Sequence, residues 1–290
     1  MRAVTMGATT FRAAGALTLA VAALLGSAYA LGRSMVPEQP PRTTASTVHA
    51  DGPRYADQPP DDSPTPHTDA PASPVPASPV PDQRPAGDGD GPYGAWMHTG
   101  TDRVALTFDD GPDPQYTPQV LDLLRSYGVK ATFCVVGENA QNHPDLIEAI
   151  VAEGHTLCNH SWNHDTTLGK RSPESIRADL LRTNDAIRAA VPDARITWFR
   201  QPGGEWTYPV ASICAELGMT PLHWAVDPAD WQAPGAEKVT SAVLSDTGPG
   251  SIVLMHDAGG DRRGTVEALH RILPELVGRY QLEALPTNPT

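Results

Sequence analysis

From about Arg103 onward, apolar and polar positions alternate between two rhythms. Short, nearly continuous apolar runs occur at Val104–Asp109, Ala131–Val136, Thr156–His160, Ile196–Arg200, Pro221–Val226 and Ser251–His256. Runs of this length bounded by turn residues read as buried strands. Between them the apolar residues fall at helical spacing, as in Leu146, Ile147, Ile150 and Val151, or Val266, Leu269, Ile272, Leu273 and Leu276. Strand and helix alternating every 25 to 40 residues or so predict a parallel sheet with crossover helices. Six such units, with a seventh strand near Gln281–Leu285, suggest an α/β fold of the (β/α) barrel type. An open doubly wound sheet is the competing arrangement, and in both the reactive groups collect beyond the C-terminal ends of the strands.

The pattern before Arg103 is different in kind. Ala13 to Leu31 is almost uninterrupted small and apolar sequence, preceded by Arg2 and Arg12 and containing Ala28-Tyr29-Ala30, a small-x-small cleavage form. Residues 1–31 are therefore expected to be a signal peptide or an uncleaved membrane anchor. Either way the positive charge before the run places the remainder outside the cytoplasm, secreted or held on the outer face of the membrane. Residues 32–98 hold half of the chain's 30 prolines and the tandem Pro71-Ala72-Ser73-Pro74-Val75 and Pro76-Ala77-Ser78-Pro79-Val80. Too little apolar surface is present there to offset chain entropy, so a disordered linker is expected, with a reach on the order of 200 Å if polyproline-like. A folded domain over 99–287 completes the expected organisation.

Composition narrows the partners. The 290 residues carry a formal net charge of −13, which excludes nucleic acid or an anionic lipid surface as the main partner, because phosphate binding relies on clustered Lys and Arg. A neutral substrate fits better, with membrane contact only through the N-terminal segment and a monomeric domain. Three cysteines, none in a Cys-x-x-Cys pair, make neither a disulfide scaffold nor a zinc ribbon. Cys134 and Cys158 lie on consecutive strand segments, and both a bond between them and two buried thiols are open; Cys214 reads as core. His143, His155, His223 and His270 belong to no motif and read as surface or packing residues.

Five segments carry candidate chemistry. Thr107-Phe108-Asp109-Asp110-Gly111-Pro112 ends the first strand in two carboxylates. Successive strand residues face opposite sides, so the two are expected to take different jobs, one toward a metal and one toward the reacting group. His160-Ser161-Trp162-Asn163-His164 sets two imidazoles four apart, on one face of a helical turn, where both can converge on one ion. Asp110 would complete a His-His-Asp triad with positions left for water and substrate. Because Ser161 stands where a zinc protease of this spacing has its Glu, the base must come from elsewhere. At Arg200-Gln201-Pro202-Gly203-Gly204, the guanidinium can hold a carboxylate ionised and aimed, and the Gly203 N–H can donate to a developing oxyanion. Asp227-Pro228-Ala229-Asp230-Trp231 and Leu254-Met255-His256-Asp257 close the set. A buried Asp beside His256 would favour imidazolium and make it a competent proton donor, while Trp231 and Leu254 would wall the site.

Together these five segments, in this order, resemble the motifs of the polysaccharide deacetylases, the NodB-homology domain or carbohydrate esterase family four, over about residues 103 to 286. The resemblance implies a distorted (β/α) barrel of about seven parallel strands and one divalent metal, zinc or alternatively cobalt. It implies removal of acetyl groups from an acetylated glycan: peptidoglycan, a chitin-like oligosaccharide or xylan. Carried over residue by residue, Asp110, His160 and His164 are the metal ligands, Asp109 the base, Arg200 the group that positions it, His256 the acid and Asp230 the group that tunes it. Gly203, Trp231 and Leu254 contact substrate. One departure is Gly203, where the family usually has Tyr; the N–H is kept and an aromatic wall is lost. The rival readings are a catalytically silent carbohydrate-binding barrel and a metal phosphoesterase. No Gly-x-Ser-x-Gly elbow surrounds Ser161, which removes a serine hydrolase.

Overall fold

The computed structural model describes residues 88–288; the expected leader and the linker as far as residue 87 lie outside the described residues. Six parallel strands form one sheet in the order β5-β4-β3-β2-β1-β6. They are β1 (Ala105–Asp109), β2 (Thr132–Val135), β3 (Thr156–Asn159), β4 (Trp198–Phe199), β5 (Thr220–Pro221) and β6 (Ile252–His256). Each lies inside or beside a run that the apolar pattern marked, and the whole is the half-open, distorted barrel expected.

Period-two alternation sorts the strand residues into two cores. Outward positions Leu106, Phe108, Phe133, Val135, Leu157, Phe199, Val253 and Met255 pack in the larger apolar cluster, together with helix residues. These come from α1 (Thr117–Ser126), α3 (Pro144–Ala152), α4 (Pro173–Ala190), α5 (Tyr208–Glu216), α6 (Ala236–Asp246) and α7 (Arg263–Arg279), with α2 (Gly137–Asn142) preceding α3. Helix α4 starts where Ser172 accepts a hydrogen bond from the Ser175 N–H and Pro173 occupies the first turn, a favourable N-terminus because neither residue leaves a donor unmet. Inward positions Ala105, Cys134, Cys158, Trp198 and Ile252 form a smaller cluster with Leu222 and Leu285. Cys134 and Cys158 are register partners on β2 and β3 and are joined as a disulfide, which decides between the two readings of that pair. Cys214 is buried and reduced.

The barrel closes differently from expectation. Of the stretch Pro221–Val226, the start pairs with β4 while Val226 pairs with Val253 of β6. The segment Gln281–Leu285 contributes one bridge, Val104 with Leu282, rather than a seventh strand. Folded structure also begins before residue 99: Trp96 bridges Leu222, His98 bridges Ser251, and the Trp96 indole sits edge-on to Trp198 at 5.5 Å. A short N-terminal arm thus bridges the residues after β5 to those before β6.

Candidate active site

Inward side chains at the C-terminal ends of the strands converge on a cavity of about 410 Å³. Asp109 is the last residue of β1 and His256 the last of β6, and the two are register partners on neighbouring strands. Alternation therefore turns both inward, side by side.

Each is fixed by a separate buried partner. Arg200, fully buried, donates from Nη1 to Asp109 Oδ1 at 2.7 Å and to Thr107 Oγ1 at 2.9 Å, and from Nη2 to the His223 carbonyl at 2.9 Å. His256 donates from Nδ1 to Asp230 Oδ1 at 2.7 Å, and its backbone N–H donates to Asp230 Oδ2 at 3.0 Å. Thr265 Oγ1 donates to the same Oδ2 at 2.7 Å. Burial opposes a charged His256, but the hydrogen bond to Asp230 and the charges of Asp230, Asp109 and Asp110 win, and its pKa is raised. The neighbouring Asp257 instead accepts from Thr117, and burial pushes its carboxyl up to about 7.

The two adjacent carboxylates do not face opposite sides. Asp110 takes a left-handed φ of 76°, which swings its carboxylate back into the cavity that Asp109 faces. Such a backbone is uncommon for residues other than glycine, with Asp among the more tolerant. The second ligand segment is likewise a turn rather than a helix: Ser161 and His164 have φ of 64° and 57°, and the two imidazole centroids lie 5.1 Å apart. His160 Nε2 is 3.5 Å from Asp110 Oδ1 and also 3.5 Å from Asp109 Oδ2; His164 Nε2 is 3.3 Å from Asp110 Oδ1.

Asp110, His160 and His164 offer ligand atoms all within 4.8 Å of one another, and theirs is the one such cluster among the described residues. His160 Nδ1 donates to the Arg200 carbonyl at 2.8 Å, so in the neutral ring Nε2 carries the lone pair and faces the carboxylates. Asp110 Oδ1 is buried without a hydrogen-bond donor. Electron pairs facing one another in a buried site call for a positive charge between them. The titration tendencies agree. Burial alone would raise the Asp110 carboxyl, yet the neighbouring imidazoles, His160 foremost and then His256 and His164, hold it at about 2. Burial lowers His160 less than Asp109 and Asp110 raise it, while burial and the His160 charge lower His164. Two imidazoles and one carboxylate suit a borderline divalent cation with open positions.

The remaining walls are mostly apolar. Leu254 faces inward from β6, Trp231 stands at the rim with 53% of its surface exposed, and Gly203, at φ 63°, lines the cavity. All ten expected site residues therefore gather around this one cavity, either lining it or, for Arg200 and Asp230, bonded to a residue that does. Trp224, Gly259 and Arg262, which the sequence pattern did not mark, and Asp227, which lay in a marked segment without a role, also line it. Arg262 donates to the carbonyls of Ala258, Asp230 and Gly259, and nothing local in its sequence signalled that. His155 and His223 are packing residues: His155 Nδ1 accepts from the Ala131 N–H, and the His223 ring packs against Trp224 in a tilted pair.

Comparison with known proteins agrees with this geometry. Residues 97–222 match the family model described as polysaccharide deacetylase. A chitooligosaccharide deacetylase from Sinorhizobium fredii is 42% identical over 203 residues, 66% of this chain and 93% of that protein. The chain belongs to the polysaccharide deacetylase family. Among solved structures, the Bc1960 peptidoglycan N-acetylglucosamine deacetylase superposes with a TM-score of 0.62 at 35% identity, covering 64% of this chain and 87% of the other. A family-four pseudoenzyme from Bacillus anthracis gives 0.60 at 30% identity, over 65% of each chain. The deacetylase family thus includes a member described as inactive, and the side chains at the site carry the argument about chemistry.

Proposed function

We propose that this chain is a cation-dependent hydrolase that removes acetyl groups from N-acetylglucosamine-containing polysaccharide, peptidoglycan or chitin-like, with acetylxylan as a further substrate. The observation that carries this is the pairing of Asp109 and His256, in register on adjacent strands and each clamped by its own buried partner, at the edge of the Asp110, His160 and His164 cluster. Hydrolysis of an amide needs a base for the water and an acid for the nitrogen, because an amide anion is a very poor leaving group.

Asp110, His160 and His164 would hold the cation, zinc by the donor set and cobalt as the alternative, and it supplies Lewis acidity toward water and the acetamide carbonyl. Asp109 accepts the proton of the attacking water, and the hydrogen bond from Arg200 keeps that carboxylate aimed. The Gly203 N–H donates to the oxyanion that develops on the carbonyl oxygen. His256, kept as imidazolium by Asp230, gives its proton to the departing nitrogen, leaving acetate and a free amine on the sugar. Trp231 and Leu254 receive the apolar parts of the substrate. The disulfide in the barrel floor and the leader-like N-terminus support action outside the cytoplasm, with residues 32–87 as a spacer from the membrane or within the wall.

The test is acetate release from chitooligosaccharides, peptidoglycan and acetylxylan with added zinc or cobalt. Asp109→Asn is expected to lose at least about 10²-fold in kcat while still binding one cation; near-full activity of this variant removes the assignment of the base. Turnover of phosphoesters instead of acetylated glycans would favour the phosphoesterase reading, and glycan binding with no acetate released would favour the silent barrel.

A further inference from the structure

Gly203 and Gly204 leave the wall of the cavity beside Arg200 without side chains of its own, and a neighbouring aromatic fills the place. A Cβ built on Gly204 would lie 2.7 Å from Trp224 Cη2 and 3.1 Å from His223 Cε1, so the indole occupies the space that any larger residue at 204 would take. The Trp224 ring is fixed from its other neighbours too, tilted 31° against His223 with centroids 4.0 Å apart and 5.8 Å from the Arg200 guanidinium carbon. It is half-buried and lines the cavity.

Connectivity places the two cavity tryptophans at opposite functional groups. Trp231 follows Asp230, the partner of His256. Trp224 follows His223, whose carbonyl accepts from Arg200, the partner of Asp109. Both indoles line the cavity, and the 5.8 Å separation of Trp224 from the Arg200 guanidinium, which holds Asp109, sets Trp224 on the Asp109 side. A pyranose with equatorial substituents presents C–H groups on its faces, the surface that a rigid, desolvated indole complements.

Resting on the deacetylase reading above, we propose that Trp224 is a specificity-determining residue: the stacking platform for the sugar that flanks the reacting N-acetylglucosamine on the Asp109 side. The platform reads a chain of at least two sugars and takes no part in proton transfer.

The experiment compares wild type, Trp224→Met and Trp224→Phe on the chitin pentasaccharide, with kinetics and with calorimetric binding in an Asp109→Asn background that does not turn over. Trp224→Met is expected to raise KM and weaken binding about tenfold, as one aromatic contact allows, with kcat changed less than twofold; Trp224→Phe restores most of the loss. A variant that lowers kcat with KM and affinity unmoved overturns the platform and makes Trp224 a support for Arg200. Where Trp224→Met does not fold, the Trp224 indole N–H resonance is followed in Asp109→Asn during pentasaccharide titration, and a resonance that does not move overturns the proposal. Absence of acetate release by the wild type is a failure of the deacetylase reading alone, since Trp224-dependent pentasaccharide binding would still uphold the platform.

Discussion

Asp230 does its work through His256. With both of its oxygens engaged by His256 and Thr265, it offsets the burial that would otherwise drive His256 neutral. The protonated form, the one that can donate, is present below the raised pKa and is lost as pH climbs through it. Asp230→Asn removes the charge and leaves the burial, so the alkaline limb of kcat/KM is expected to move to lower pH, measured as a pH–rate profile against wild type; an unmoved limb would separate His256 from the acid step. Gly259 illustrates a tighter constraint. A Cβ there would lie 2.2 Å from Asp110 Oδ2, at a φ of 74°. Gly259→Ala is expected to weaken zinc binding by about tenfold or more, the usual range for displaced ligand supports, measured by chelator competition. Neither residue was equally legible. Asp230 stood out through its motif, whereas Gly259 matters because of a close approach between two loops 150 positions apart in the chain, which no local pattern records.

Among the elements, the strands were readable and the closure of the barrel was not. A buried strand announces itself by its apolar run, because both of its faces are covered. Closure depends on backbone pairing by residues of no special hydropathy, as when Trp96 donates to the Pro221 carbonyl and accepts from the His223 N–H. The same arm covers Trp198 on the barrel floor. A chain beginning at Thr99, the boundary that composition suggests, is therefore expected to be less stable than one beginning at Asp88 by about 2 kcal/mol, the order of a partly buried tryptophan lost. Urea denaturation midpoints of the two chains would decide it, and equal midpoints would make the arm incidental. The ligand turns belong to this scale too. Four-residue spacing of His160 and His164 suggested a helix, but the same convergence is reached by a turn with two left-handed residues.

For the whole molecule, the cluster of Asp110, His160 and His164 would couple a bound cation to folding, since its members follow β1 and β3, which only the folded sheet brings together. Zinc at about 100 times its dissociation constant should add about 2.7 kcal/mol of stability, seen as a rise in thermal midpoint, and His160→Ala with His164→Ala should remove the increment. No helix among the described residues is long and apolar enough to cross a membrane. The order of motifs along the chain, the parallel α/β alternation and the candidate acid, base and ligand residues were legible in sequence alone, because the elements rest on local period and the candidates on residue type within ordered motifs. Tertiary structure alone decided that Asp109 and Asp110 share one cavity, that Trp224 lines it beside the glycine pair, and that an N-terminal arm pairs with the residues flanking β5 and β6. Those outcomes turn on backbone dihedrals and on contacts between distant segments, and neither is encoded in spacing along the chain.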